Sequence, residues 1–175
     1  MVDFMNSTEH KNIYYTIINL GGHELYIYTT RDALIYISLK QPKEDLDKHR
    51  LTKVKEDDPY MLSVPLQLRE YFSGERKKFS VKLDLSGTKF QLKVWKELTK
   101  IPYGKTISYK ELATKTGDPK AVRAVGGANG SNPIPIIIPC HRVINANGDL
   151  GGYSGGLDIK SMLLTIEGVL EPSML

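Results

Sequence analysis

Chemistry in this 175-residue chain concentrates in one short run, Pro139-Cys140-His141-Arg142. Cys140 is the single cysteine of the chain. A thiol beside an imidazole and a guanidinium is expected to have a lowered pKa and to act as a nucleophile. A free cysteine is also a common small core residue, and composition alone favours that reading. Prolines 133, 135 and 139 fix an extended path into the thiol, and Ile136-Ile137-Ile138 makes that path apolar. One cysteine forms neither an intramolecular disulfide nor a multi-thiolate zinc site. His10, His23, His49 and His141 lack ligand spacing. No metal and no cofactor are expected.

The elements that must carry this run are of two kinds. Up to about residue 85 the chain reads as strands. Ile13 to Leu20, Glu24 to Thr30 and Leu34 to Leu39 are rich in Ile, Tyr and Thr, and Gly21-Gly22 and Arg31-Asp32 punctuate them. That pattern predicts an antiparallel meander. Residues 40 to 58 are charged and aperiodic and read as a surface loop. Leu62, Leu66, Leu68 and Phe72 predict a helix from Pro59 to Phe72, stopped by Gly74. Phe79, Val81, Leu83 and Leu85 alternate as in a strand.

The character changes near Ser86-Gly87, where helical patterns take over. From Thr88 to Lys100, Phe90, Val94, Trp95, Leu98 and Ile101 share one face. Lys89, Lys93, Lys96 and Lys100 line another, which suits a solvated face and phosphate contact equally. Ser108-Tyr109-Lys110-Glu111 is a capping box that opens a helix ending near Gly117. Asp118-Pro119 then restarts helix, with Asp as cap and Pro at the first position. Two short helices with a tight glycine-containing turn suggest a helix-turn-helix. On the second helix Val122, Val125 and Ala128 form an apolar face. Lys120, Arg123, Ala124 and Gly127 form the opposite one. Small residues let a backbone approach a flat partner, and the cations suit phosphate or a gap in a base stack. Helix packing through Ala124 and Gly127 is the alternative, and the flanking cations weigh against it.

Charge agrees without deciding. Net charge is +4 and the pI about 9.0. Acidic residues gather between Glu44 and Asp58, while Arg76 to Lys120 is rich in lysine. No apolar run approaches a membrane span, and the first residues lack a secretory pattern. An intracellular location is expected, cytoplasmic or, in a eukaryote, nuclear.

Pro139-Cys140-His141-Arg142-Val143 resembles the active-site signature of the O6-alkylguanine-DNA alkyltransferases. Further blocks resemble the family in order and spacing: Phe90 to Trp95, Ile107 to Tyr109, Lys120 to Ala128, Asn132 to Pro135, Tyr153 to Gly156, and Glu167-Gly168. Coverage runs from about residue 86 to 170, and several spaced blocks are far more specific than one motif. The resemblance implies an α+β chain with a ribonuclease-H-like domain over 1–85 and a winged helix-turn-helix domain over 86–175. It implies irreversible, stoichiometric transfer of an alkyl group from guanine O6 to Cys140, with thymine O4 left open as a second substrate. His141 would take the thiol proton through a water, Glu167 would orient His141, and Asn132 would brace the turn. Tyr109 would donate to the departing base, and Arg123 would fill the stack after base extrusion. Lys120, Ala124 and Gly127 would lie on the DNA. Pro135, Val143, Tyr153, Ser154, Gly155 and Gly156 would form the base pocket, with the carbonyls of Cys140 and Val143 accepting from the exocyclic amine. The implied partner is double-stranded DNA bound through its minor groove by a monomer, with no membrane. Some members carry zinc ligands near the N-terminus, which a single cysteine does not support, and a basic residue where this chain has Gly130. A lesion-recognition relative that repairs nothing is the main competing reading, but in that relative the cysteine is replaced. A helix-turn-helix regulator and a cysteine hydrolase are weaker alternatives.

Overall fold

The structure is a computed structural model, and it describes residues 4–5, 12–40 and 51–171. The chain separates into two compact units, Met1–Ser86 and Gly87–Leu175.

The first unit is a mixed six-stranded sheet in the order β1-β6-β4-β3-β2-β5. The strands are β1 (Phe4–Met5), β2 (Ile13–Leu20), β3 (His23–Thr29), β4 (Leu34–Ser38), β5 (Leu51–Lys53) and β6 (Leu83–Asp84). β2 and β3 pair in register to Leu20↔His23, and the two-residue loop is Gly21-Gly22. Both glycines have positive φ, 57° and 79°, the conformation a tight hairpin needs. Leu25, Ile27, Leu34 and Ile37 fill the core.

Three expectations change here. Leu51–Lys53 is not loop but the parallel edge strand β5, paired Ile13↔Leu51. Three residues with one half-buried side chain carry no readable period, and a neighbouring strand supplies the order. The rest of the expected loop, 41–50, lies outside the described residues. The single helix from Pro59 is in fact a 3-10 turn, Pro59–Met61, followed by helix α1, Val64–Phe72. Leu62 and Ser63 between them are left-handed, φ 53° and 57°, which resets the helical phase. Leu66 is therefore 58% exposed, while Val64, Gln67, Leu68 and Tyr71 face inward. In the segment 79–85 the alternation holds, with Val81, Leu83 and Leu85 buried, but only Leu83–Asp84 pairs as strand.

The second unit carries helices α2 (Lys89–Leu98), α3 (Tyr109–Lys115), α4 (Val122–Gly130) and α5 (Leu157–Ile166). Strands β7 (Ile107–Ser108) and β8 (Val143–Ile144) pair in parallel. α2 opens on a capping box, Thr88 with Gln91, and buries Val94, Trp95 and Leu98. Trp95 Nε1 donates to the Ala128 carbonyl at 2.8 Å, tying α2 to α4. The Ser108–Glu111 capping box forms as expected, so α3 starts on Tyr109. α3 and α4 make the helix-turn-helix of an α+β chain.

α4 begins at Val122, three residues after the expected start at Pro119. Asp118 caps a turn instead, accepting from the Lys120 amide at 2.9 Å, and Ala121 breaks regularity with φ −76°, ψ 22°. Lys120 thus lies in the turn rather than on the helix. Val122, expected on the apolar face, is 37% exposed, and Asn129 joins Val125 and Ala128 as a buried residue.

Candidate active site and nucleic-acid interface

The run 132–139, expected to be extended, instead folds back on itself. Ile136 is left-handed, φ 75°, and the Ile138 amide donates to the Ile134 carbonyl at 3.0 Å. A 3-10 turn, Cys140–Arg142, then leads directly into β8. Asn132 holds this entry: its Oδ1 accepts from the Ile134 amide at 3.0 Å and its Nδ2 donates to the Ile138 carbonyl at 2.7 Å. The turn buries Cys140, 2% exposed, and His141, 0% exposed. Burial pushes the Cys140 thiol above its ordinary pKa, while hydrogen bonding from Asn132 and Tyr153 and the charge of Lys160 act the other way. This reverses the expected lowering. The guanidinium meant to supply it is committed elsewhere.

Arg142 forks onto Glu167, with Nε to Oε2 at 2.9 Å and Nη2 to Oε1 at 2.8 Å, and its Nη1 donates to the Ile101 carbonyl at 2.6 Å. His141 Nε2 lies 2.9 Å from Glu167 Oε1. The Gly104 amide donates to Glu167 Oε2 at 3.0 Å. Gly104 has φ +71°, and a Cβ there would come within 3.0 Å of the Glu167 carbonyl oxygen, so the position needs glycine. Burial by itself would raise the Glu167 carboxyl, but hydrogen bonds and charge from His141 and Arg142 bring it down to about 2. Burial pushes the His141 pKa down against the pull of Glu167. With the imidazole neutral, the Arg142 fork keeps Glu167 ionised, and Nε2–H donated to the carboxylate leaves the Nδ1 lone pair as the proton acceptor.

A pocket of about 310 Å³ is lined by Tyr109, Gly126, Asn129, Gly130, Gly152, Tyr153 and Ser154. The Asn129 Nδ2 donates to the Cys140 carbonyl at 3.3 Å, which links the pocket wall to the nucleophile's own backbone. Tyr109 Oη donates to the Gly152 carbonyl over a long 3.4 Å. Burial raises the Tyr109 hydroxyl, as does a nearby Cys140 charge, and hydrogen bonding from Asn129 lowers it. Tyr109 therefore stays protonated near neutral pH. A larger concavity of about 480 Å³, lined by Glu56, Asp58, Leu66 and Arg69 among others, holds no nucleophile and is set aside. Among the described residues no group of three or more His, Cys, Asp or Glu could hold a metal.

Residues 89–169 match the family of the 6-O-methylguanine DNA methyltransferase DNA-binding domain. The methylated-DNA–protein-cysteine methyltransferase of Methanosarcina acetivorans is 44% identical, over 89% of this chain and 99% of that one. The chain belongs to the methylated-DNA–protein-cysteine methyltransferase family. The fold agrees. The crystal structure of the Mycobacterium tuberculosis O6-methylguanine methyltransferase matches with a TM-score of 0.81 at 41% identity, covering 92% of this chain and 96% of that one. The Mycobacterium tuberculosis OGT in complex with DNA matches with a TM-score of 0.79 at 42% identity, covering 89% and 93%.

Placed on this family member, the expected site residues fall into groups. Cys140, His141 and Glu167 come together, with Asn132 bracing the entry to the turn. Tyr109, Tyr153 and Ser154 line the pocket. Pro135 and Val143 are buried outside that lining, and Gly155 and Gly156 lead into α5 beyond it. Lys120, Arg123, Ala124 and Gly127 are all exposed, and a Cβ on Gly127 would meet open space. Three residues escaped the sequence reading. Arg142 was taken as a partner of the thiol and is the partner of Glu167. Asn129 bonds the Cys140 carbonyl. Lys160, 0% exposed, donates to the carbonyls of Val143 and Leu150, and burial lowers its pKa to about 8. A lysine within the otherwise apolar face of α5 was the available clue to it.

Proposed function

We propose that this chain repairs DNA by moving an alkyl group from guanine O6 in a duplex onto Cys140 Sγ, once per molecule. The observation that carries the reading is the buried His141–Glu167–Arg142 cluster joined by backbone to the single thiol. The resting thiol is neutral, so its proton must leave as the bond forms. His141 is neutral and accepts it through a water, and ionised Glu167 balances the imidazolium. The sulfur–carbon bond forms as the carbon–oxygen bond breaks, and the electron pair goes to the guanine. Tyr109 Oη–H stabilises or protonates that developing anion. The product is a thioether, so the protein is consumed, and no cofactor takes part.

A base inside a duplex cannot reach a thiol that is 2% exposed, so extrusion is required. Arg123 on the exposed face of α4 replaces the extruded base, while Ala124 and Gly127 allow the helix to lie close in the minor groove. Lys120 contacts phosphate from the preceding turn. Residues 86–175 form the DNA-binding and transfer domain, and residues 1–85 the ribonuclease-H-like domain. The protein works as a cytoplasmic, or in a eukaryote nuclear, monomer. Among the described residues no helix is long and apolar enough to cross a membrane.

The test is intact-mass measurement after incubation with a duplex containing O6-methylguanine. A gain of one methyl on Cys140, absent in Cys140→Ala, is expected. DNA binding without any mass gain would overturn the repair reading and leave a lesion-recognition protein.

A further inference from the structure

Glu167 is held from two sides. His141 and Arg142 reach it from the turn after Cys140, and the loop 101–104 reaches it from the end of α2. The Ile101 carbonyl accepts from Arg142 Nη1 at 2.6 Å, and the Gly104 amide donates to Glu167 Oε2 at 3.0 Å. Between these two contacts stands Tyr103. Its ring centroid lies 5.8 Å from Arg142 Cζ, within cation–π range. Its Oη donates to the Ile166 carbonyl at 2.8 Å. Ile166 is the last residue of α5, and Glu167 follows it. The last carbonyls of a helix have no partner within it. Those of Leu163, Leu164 and Thr165 accept from the amides of Glu167, Val169 and Gly168, and that of Ile166 accepts from Tyr103. Burial and the Glu167 charge push the Tyr103 hydroxyl up against the pull of Arg142, so it stays protonated and keeps donating.

The two carboxylate oxygens divide the work. Oε2 takes the Gly104 amide and Arg142 Nε, while Oε1 takes His141 Nε2 and Arg142 Nη2. With Oε2 anchored to the loop, Oε1 is presented to His141. A carboxylate that swung away would leave the Nε2 hydrogen without its acceptor. The imidazole could then carry its proton on Nδ1 instead, the atom that has to be free to accept. Tyr103 is not among the residues that line the pocket, so its influence passes through Arg142 and Glu167. We infer that Tyr103 is a positioning residue for alkyl transfer: by capping α5 at Ile166 and backing the Arg142 guanidinium, it holds Glu167 on His141 and keeps the imidazole proton on Nε2. The inference rests on the repair reading above, in which His141 is the proton acceptor.

The experiment joins two readouts, the single-turnover rate per folded molecule and the tautomer of His141 by nitrogen NMR at neutral pH. The His141 signals are those missing from His141→Gln. In wild type the proton should sit on Nε2 alone. Tyr103→Leu removes ring and hydroxyl together. It should slow reaction with an O6-methylguanine duplex and with free O6-benzylguanine alike, by roughly tenfold, part of the ~10²–10⁴ that a positioned base contributes. Its affinity for duplex should stay at the wild-type value, and its His141 should become a mixture of the two tautomers. Tyr103→Phe keeps the ring over Arg142 and should lose only about threefold, with a smaller share of the second tautomer. It carries both readouts if Tyr103→Leu fails to fold. Slowing with the His141 tautomer unchanged would make Tyr103 a prop of the fold and overturn the inference. Wild-type rates in both variants would overturn it too, as would a wild type with its proton on Nδ1. Failure of wild type to react with either substrate is a separate result. It removes the repair reading, while the tautomer comparison still tells whether Tyr103 holds Glu167 on His141.

Discussion

The two units bury polar groups in different ways. In the first, the buried polar side chains among the described residues are Thr16, Thr29, Thr30 and Gln67, all neutral, and Thr29, Thr30 and Gln67 donate to backbone carbonyls. In the second, the ionisable side chains of His141, Arg142, Lys160 and Glu167 are buried, and three of them, His141, Arg142 and Glu167, stand on the turn and helix end that frame Cys140. Burying charge costs several kcal/mol per ion unless geometry returns it, and apolar residues of the same volume are often as stable. The first unit follows the cheaper route. The second keeps charges in its core, where the proposed reaction would use a base with a fixed counter-ion. Stability and chemistry are thus separable between the units, and mutation can test this.

The largest effect is expected from Arg142→Met, which strips Glu167 of its guanidinium and leaves it with His141 and the Gly104 amide. Removing one member of a buried ion pair costs about 3–5 kcal/mol. Chemical denaturation should register that loss, and alkyl transfer per folded molecule should fall as well. Leu25→Ala, at a 0% exposed site in the sheet, should cost a comparable ~2–5 kcal/mol. Its transfer rate per folded molecule should stay at the wild-type value. A slowed Leu25→Ala protein would mean that the units are not separable.

Acid should act through the second unit. Glu167 titrates at about 2 in the folded protein against an ordinary 4.5, so its contribution is complete above 4.5 and is lost as pH falls towards 2. Thermal melts of wild type should lose stability across that window, and Glu167→Gln should show a shallower fall. Parallel curves would remove Glu167 from the account of acid sensitivity.

Arg123→Ala should slow duplex repair by roughly tenfold or more and leave reaction with free O6-benzylguanine near wild type, since only the duplex requires extrusion. Equal loss on both substrates would take Arg123 out of that role. Smallest of all, Leu66→Ser on the exposed face of α1 should change stability by no more than about 0.5 kcal/mol. A large loss there would mean that Leu66 is covered in solution.

Local sequence determined local structure well. The Ser108 capping box set the start of α3 on Tyr109, and Gly21-Gly22 closed the β2–β3 hairpin. Each depends on backbone preferences within a few residues. The run around Cys140, with its distant companion blocks, was also enough to name the family. Distance in sequence marks where legibility stopped. β5 exists because β2 offers an edge, and α1 changed phase through two left-handed residues that no periodicity records. The thiol's pKa moved upward because burial outweighed its neighbours. Arg142 turned to a carboxylate 25 positions away, and Asn129 reached a carbonyl 11 positions away. Which residues are charged could be read from the chain. Which of them share a low-dielectric interior, and hence which way their protons shift, was decided only when the tertiary structure brought them into contact.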